Sequence, residues 1–159
     1  MRKHVQRFPA GQITRLGALA GLAGGGAEIA WIMLYAAFSG ADAVEVARGV
    51  ALAASGGLVS SALAGIVVHM LFAAGLGIAL AFAWRRISVH LGAASEFGLA
   101  LLALAAVWKI NFFVLLPLIR PEFVDLLPYA ATLASKLLFG FSAAMVLRYS
   151  RAVPAGQAR

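Results

Sequence analysis

The sequence has no cysteine and few charged residues. Without cysteine, the chain can have no disulfide, no thiolate metal site and no cysteine nucleophile. Charged residues make up only 12% of the 159 residues, whereas a typical soluble domain is about a quarter charged. A soluble fold of this length would lack the polar residues that it needs to cover its surface. The composition therefore excludes a soluble globular domain, a disordered chain and a nucleic-acid-binding domain.

Catalytic and metal-binding motifs are also missing from the sequence. The triplet Gly24-Gly25-Gly26 lies within an apolar run and is not followed by Lys-Ser/Thr, which excludes a phosphate-binding loop. No two histidines are spaced as i and i+4, a frequent zinc-ligand spacing. Serines such as Ser60 and Ser61 have no evident base and acid to activate them. We therefore expect a protein that is not an enzyme, with no catalytic residues, no metal and no resident cofactor.

What the sequence does have is long apolar runs. Hydrophobic residues make up 63% of the chain, and the mean hydropathy is +0.94. A membrane-spanning helix needs about 20 mostly apolar residues, and four stretches meet this length, at about 16–38, 58–84, 92–116 and 128–147. They lack the alternating polarity of β-barrel strands. The sequence predicts an all-α integral membrane protein, with residues 1–159 forming one up-down bundle of four transmembrane helices.

The basic residues predict the orientation of these spans. Most of the 13 Lys and Arg residues lie in the two terminal segments and the second connection, whereas the first and third connections hold only Arg48 and Arg120. The residues on the richer side are Arg2, Lys3, Arg7, Arg15, Arg85, Arg86, Arg148, Arg151 and Arg159. Because cytoplasmic loops carry an excess of Lys and Arg, we expect both termini in the cytoplasm. The net charge of +7 then reflects topology and not a nucleic-acid partner.

The two connections on the poorer side differ in character. In the first connection Asp42, Glu45 and Arg48 alternate with valines, which fits a short amphipathic helix at the membrane interface. An N-terminal extension of the second span fits the same residues. The third connection, residues 117–128, holds three prolines and predicts a compact, stiff turn.

Small residues recur at every fourth position on the first, second and fourth spans. Such faces let helix backbones approach closely in lipid, where no hydrophobic driving force brings helices together. We expect these faces to pack within the bundle or against a second copy of the chain. The predicted helix-packing residues are Gly17, Gly21, Gly25, Gly65, Ala73, Gly77 and Gly140.

Polar residues lie at mid-depth or in the outer half of the predicted spans. They are Glu28, His69, Lys109, Asn111 and Lys136. An isolated charge at mid-bilayer costs about 2.5–3.5 kcal/mol on insertion scales, so we expect Glu28 to pair with Lys109 or Lys136, and His69 to be a hydrogen-bond partner. The cluster is either an ion pair that fixes the bundle or a site for a proton, an ion or a small ligand. Haem between two histidines is not expected within one chain, because only His69 lies deep in a span; haem shared by the His69 residues of two copies is an open alternative.

The two halves of the sequence share a weak similarity. Gly21-Leu22-Ala23 and Trp31 match Gly98-Leu99-Ala100 and Trp108 at the same separation, and His69 matches Lys136 within similar apolar surroundings. One interpretation is a parallel repeat of two hairpins, as some transporters have. Chance similarity between helices rich in alanine, leucine and glycine is the other interpretation.

The order of these features resembles the YagU-like family of small bacterial inner-membrane proteins. The resemblance rests on the glycine-rich first span that ends at Glu28, on His69 with its apolar Met70-Leu71-Phe72, and on Pro121-Glu122-Phe123 before the last span. The family pattern has a histidine where this chain has Lys136, so a paired-histidine role does not carry over. The resemblance implies the four-span architecture and a bacterial inner-membrane location. It implies no biochemical activity, since none is established for the family.

Together these features predict a small multi-pass protein of the bacterial inner membrane. We expect it to act as a structural or accessory subunit or as a homo-oligomer, with the bilayer and another membrane protein or its own copies as partners. One alternative is a small proton-linked transporter or channel that uses the polar cluster. Another is a membrane anchor subunit of an electron-transfer complex.

Overall fold

A computed structural model describes residues 10–87 and 93–152 of the chain. All regular structure in these ranges is helical, in the order α1 (Ala10–Ser39), α2 (Ala43–Ala54), α3 (Ala62–Ile87), α4 (Ala93–Ile110), a π-helical segment (Asn111–Leu115), α5 (Leu116–Ile119), a 3-10 helix (Pro121–Leu126) and α6 (Tyr129–Ala152). Four stretches are long and apolar enough to cross a membrane, namely Ala10–Ser39, Ala62–Arg86, Ser95–Ile119 and Tyr129–Ser150. The prediction of an all-α membrane protein with four spans is confirmed.

The spans differ from the predicted ones mainly at their ends. The first span begins at Ala10 and not near residue 16, and the last runs to Ser150 and not to residue 147. The second begins at Ala62 and not at residue 58, because Gly56 and Gly57 have positive φ angles of 63° and 91° and form a turn before it.

The first connection forms a separate amphipathic helix, α2, and not an extension of the second span. The Asp42 carboxylate caps its N-terminus by accepting the backbone N–H groups of Val44 and Glu45, at 2.8 Å and 3.2 Å. The helix packs on the beginning of α3, where Gly65 meets the backbone of Ala47. It thus covers what we call the distal end of the bundle, opposite the proximal end at which α1 begins and α6 ends.

The third span is one helix interrupted by a π-helical segment. A proline has no N–H and its ring crowds the carbonyl four residues earlier, which for Pro117 is the carbonyl of Phe113. The segment Asn111–Leu115 absorbs this conflict, and the helix continues as α5 to Ile119. The predicted compact turn is therefore shorter than 117–128 and consists mainly of the 3-10 helix.

The four spans pack in the spatial order α3, α1, α6, α4. Helix α1 lies between α3 and α6, and α6 lies between α1 and α4. Within the described residues, α3 and α4 share at most marginal contact, whereas a two-fold repeat of hairpins would pair them as α1 pairs with α6. Each hairpin is present, but the two are not arranged with that symmetry. Helix α4 therefore packs along one side only, and 17% of its apolar window is buried, against 44% for α6.

Candidate functional site

Glycines bring α1 and α3 into backbone contact. A Cβ added at Gly21 would overlap the carbonyl of Ala73, and one at Gly77 would overlap the backbones of Gly17 and Gly21. A Cβ at Gly25 would lie 2.7 Å from the Ala73 methyl group. The small-residue faces of α1 and α3 therefore pack against each other within the bundle and not against a second copy of the chain.

The other two predicted packing glycines also face helices of the same chain. Gly65 packs on Ala47 of α2, and Gly140 of α6 lies where a Cβ would be 3.4 Å from the Ala100 carbonyl of α4. Because all these faces are occupied inside the chain, they are not available for contact with a second copy.

Glu28 lies at the centre of the polar cluster, between α3 and α6. Only 3% of the surface of Glu28 is exposed. The Lys136 ammonium of α6 donates a hydrogen bond to Oε2 at 2.9 Å and lies 2.7 Å from Oε1 as an ion pair. Such close contact with an opposite charge compensates much of the cost of burying the carboxylate. The pair that forms is thus Glu28 with Lys136.

His69 approaches the same carboxylate from α3. Its Nε2 lies 3.6 Å from Oε2 of Glu28, and this buried nitrogen has no hydrogen-bond partner among the described residues. At that distance the contact is not a hydrogen bond, and it is an ion pair only when the imidazole is protonated. Glu28 therefore touches α3 through His69 and α6 through Lys136, so one carboxylate joins three helices.

Ser135 and Phe139 complete the cluster and were missed by the sequence analysis. The Ser135 hydroxyl lies 3.3 Å from Glu28 Oε1 and 2.8 Å from the carbonyl of Thr132, so its single proton favours the carbonyl. The Lys136 ammonium lies 5.8 Å from the centre of the Phe139 ring, within cation–π range. Their spacing could have identified them, because Ser135 adjoins Lys136 and Phe139 lies one helical turn beyond Ser135.

Among the described residues, no hydrogen bond or ion pair joins Lys109 or Asn111 to Glu28, His69 or Lys136, so the cluster is smaller than the predicted set. The preceding residue, Trp108, faces α6 and donates its indole N–H to the Thr132 hydroxyl at 3.0 Å. One residue advances a helix by about 100°, which turns Lys109 away from α6. Its side chain is exposed, and among the described residues no carboxylate lies within ion-pair distance of it.

Two tryptophans at matching positions of the two halves both anchor the beginning of α6. Trp31 of α1 donates to the Ala131 carbonyl at 2.9 Å, and Trp108 of α4 donates to Thr132 at 3.0 Å. Thr132 in turn donates to the Tyr129 carbonyl at 3.0 Å. The indoles therefore fix α1 and α4 to α6 on either side, just distal to the cluster.

Among the described residues, the arrangement offers an ion pair and one unpartnered imidazole nitrogen, but no ligand set for a metal. No group of three metal-binding side chains occurs among the described residues. His4 and His90 lie outside the described residues.

The comparisons with known proteins add no relative, since no protein-family model, no curated protein and no solved structure matches this chain.

Proposed function

We propose that this multi-pass membrane protein is a non-enzymatic accessory subunit that binds another membrane protein through α4. The observation that carries the proposal is the exposed Lys109 on the least buried span. Every other span of the row either lies between two helices or, like α3, is also covered by α2. Helix α4 has α6 as its one neighbouring span among the described residues.

The exposed face of α4 has the pattern of a helix-packing seam. Leu99, Leu102, Ala106 and Lys109 recur at steps of three and four residues, and all four are exposed. Leu102 alone has 70% of its surface exposed. A repeat of this kind matches the seam along which two helices interdigitate. A single polar residue in such a seam specifies the register and the number of helices that associate.

The position of Lys109 within the span favours a protein partner over lipid. At a rise of 1.5 Å per residue, Lys109 lies about 15 Å from Ile119, the distal end of its span. The bilayer core is about 30 Å thick, so the Cα of Lys109 is near its middle. An unpaired charge there is costly, and a carboxylate on a partner helix would remove that cost. The alternative is a side chain that extends along α4 to distal headgroups.

The charge also distinguishes between the two kinds of partner. Copies of one chain insert with the same orientation, so a symmetric α4–α4 contact would place two Lys109 ammonium groups at the same depth. Like charges there would repel each other. The seam therefore favours a different chain that carries an acidic residue, and an accessory subunit is favoured over a homo-oligomer formed through α4.

Site-specific photocrosslinking in the native membrane tests the proposal. We expect a crosslinker at Leu102 of α4 to give one discrete protein adduct, and the matched crosslinker at Leu71 of α3, which is similarly exposed, to give none. The adduct should be lost in Lys109→Met and kept in Lys109→Arg. Adducts only to lipid, or an adduct that survives Lys109→Met unchanged, would show that α4 does not use Lys109 to bind a protein.

The location that we propose is the bacterial inner membrane, with both termini in the cytoplasm. The distribution of Lys and Arg supports the orientation. The resemblance to the YagU-like family supports the location in the bacterial inner membrane. Cysteine labelling from outside intact cells, at Ser39 near the distal end and at Gln12 near the proximal end, tests the orientation, and only the former should react.

A second candidate function is proton-linked transport, which the free imidazole nitrogen of His69 favours. This nitrogen can accept a proton beside the Glu28 carboxylate, and intramembrane ionisable residues frequently serve proton relays. Purified chain in liposomes should then give pH-dependent flux that His69→Asn abolishes. Absence of flux from the unmodified chain would reject transport by this chain alone and would leave the accessory role untouched.

A further inference from the structure

The Glu28 carboxylate contacts two basic side chains, and only one of them changes its charge near neutral pH. Lys136 lies 2.7 Å from Oε1 and donates to Oε2 at 2.9 Å, and an ammonium held this close to a carboxylate keeps its proton. Nε2 of His69 lies 3.6 Å from the same Oε2. An imidazole gains or loses its charge between about pH 5 and 8. The net charge of the polar cluster therefore depends on His69.

The ring of His69 is only partly enclosed by the bundle. Its Nε2 is buried without a hydrogen-bond partner among the described residues, whereas 25% of the side chain remains exposed. At a rise of 1.5 Å per residue, His69 lies about 10 Å from Ala62, the distal end of its span, and about 25 Å from Arg86, the proximal end. The ring can therefore exchange a proton without separation of the helices, and a proton from the distal side has the shorter route.

Two charged groups face His69, one from each side of the cluster. They are Glu28 of α1 and Lys136 of α6. Helix α2 also packs on α3, close to Gly65 and one turn distal to His69. Its charged residues are exposed and form no ion pair with His69; they are Asp42, Glu45 and Arg48. The balance of charge around the imidazole is therefore that of one carboxylate and one ammonium.

This balance determines what a proton on His69 does. With a neutral imidazole the cluster has no net charge, whereas a protonated one leaves a net charge of +1 inside the bundle, where an uncompensated charge is costly. The contact with Oε2 offsets little of this cost, because Lys136 already neutralises the carboxylate and repels a second cation. We propose that His69 is a proton sensor, whose protonation weakens the packing of α3 on α1. The proposal goes beyond the proposed function and requires neither a partner at α4 nor transport.

The pH dependence of thermal unfolding tests the sensor in the purified full-length chain with His4→Gln and His90→Gln, in which His69 is the only histidine. The folded chain should bind fewer protons than the unfolded one, so the melting temperature should fall as the pH is lowered from about 7.5 to 5.5. One proton limits this fall to about 3–5 °C per pH unit. Adding His69→Gln, which keeps an N–H group but has no basic nitrogen, should remove the fall.

Lys136→Met in the same background should reverse the sign of the pH dependence. Without the ammonium, a proton on His69 neutralises Glu28, so the melting temperature should rise as the pH is lowered, and adding His69→Gln should abolish the rise. The proposal is overturned if the chain with His69→Gln loses stability in acid as steeply as the chain that keeps His69. It is also overturned if the chain that keeps both His69 and Lys136 melts at the same or a higher temperature in acid. Both of these outcomes are measured without Lys136→Met, so the test stands even where that variant does not fold.

Discussion

Two lysines on neighbouring spans, Lys136 and Lys109, each place a positive charge within an apolar helix, and the two charges lie in opposite surroundings. Lys136 of α6 has a side chain only 15% exposed, and its ammonium forms an ion pair and a hydrogen bond with the buried Glu28 carboxylate. Lys109 of α4 is exposed and has no such carboxylate within the described part of the chain. One charge is neutralised inside the fold, whereas the other faces the surroundings of the bundle.

The difference follows from the packing around each lysine. Glycines let α1 approach α3 so closely that Glu28, His69 and Lys136 meet in one place. Helix α4 has a single neighbouring span, and Trp108 takes the position that faces it. We infer that Lys136 contributes to the stability of this chain and that Lys109 contributes to what the chain binds. The predictions below separate these two roles.

The largest effect is expected from removing the paired lysine. Lys136→Met leaves the buried Glu28 carboxylate without its main partner, and breaking one side of a buried pair typically costs about 3–5 kcal/mol. Thermal unfolding in detergent, followed by tryptophan fluorescence, measures the loss.

The double variant Glu28→Gln/Lys136→Met is the control for that prediction. It removes both charges, so it should recover most of the lost stability. If Lys136→Met alone unfolds at the temperature of the unmodified chain, the ion pair does not hold the three helices together.

The sequence could predict the spans and the paired charge, but not which lysine would pair. Lys109 and Lys136 both lie in apolar helices at similar distances from charged loops. Their difference depends on which helix each face meets, and the small-residue faces of α1 and α3 fit more than one arrangement. The order of the spans, with α4 at one edge, depends on how all four helices pack together and cannot be inferred from any one helix. The irregular π-helical segment is easier to anticipate from the sequence, since Pro117 within an apolar run indicates a local break in the helix.

The next effect concerns the glycine contact that brings Glu28 and His69 together. Gly21→Ala places a methyl group on the Ala73 carbonyl, and such overpacking typically costs about 1–3 kcal/mol. Gly26→Ala on the same helix is the matched control, because a Cβ at Gly26 would meet nothing within 4 Å. The control should leave the melting temperature unchanged or raise it, since alanine favours a helix more than glycine does. Equal melting temperatures for the two variants would contradict the close α1–α3 contact.

A smaller effect is expected where α4 attaches to α6. Trp108→Phe removes the N–H that donates to the Thr132 hydroxyl, and a hydrogen bond of this kind is worth about 0.5–1.5 kcal/mol. Thr132→Val should lower the melting temperature by a similar amount, and the double variant by little more than either single one. Fully additive losses would mean that the two side chains do not interact.

The smallest effect on the isolated chain is expected from the exposed lysine. Lys109→Met should change the free energy of unfolding by no more than about 0.5 kcal/mol, as is usual for exposed positions without a partner. The same variant should abolish the crosslink from Leu102 in the native membrane. A loss of stability as large as that of Lys136→Met would show that Lys109 has a partner inside the chain, and the two lysines would then share one role. An unchanged melting temperature together with a lost crosslink is the combination that assigns Lys109 to a contact outside the chain.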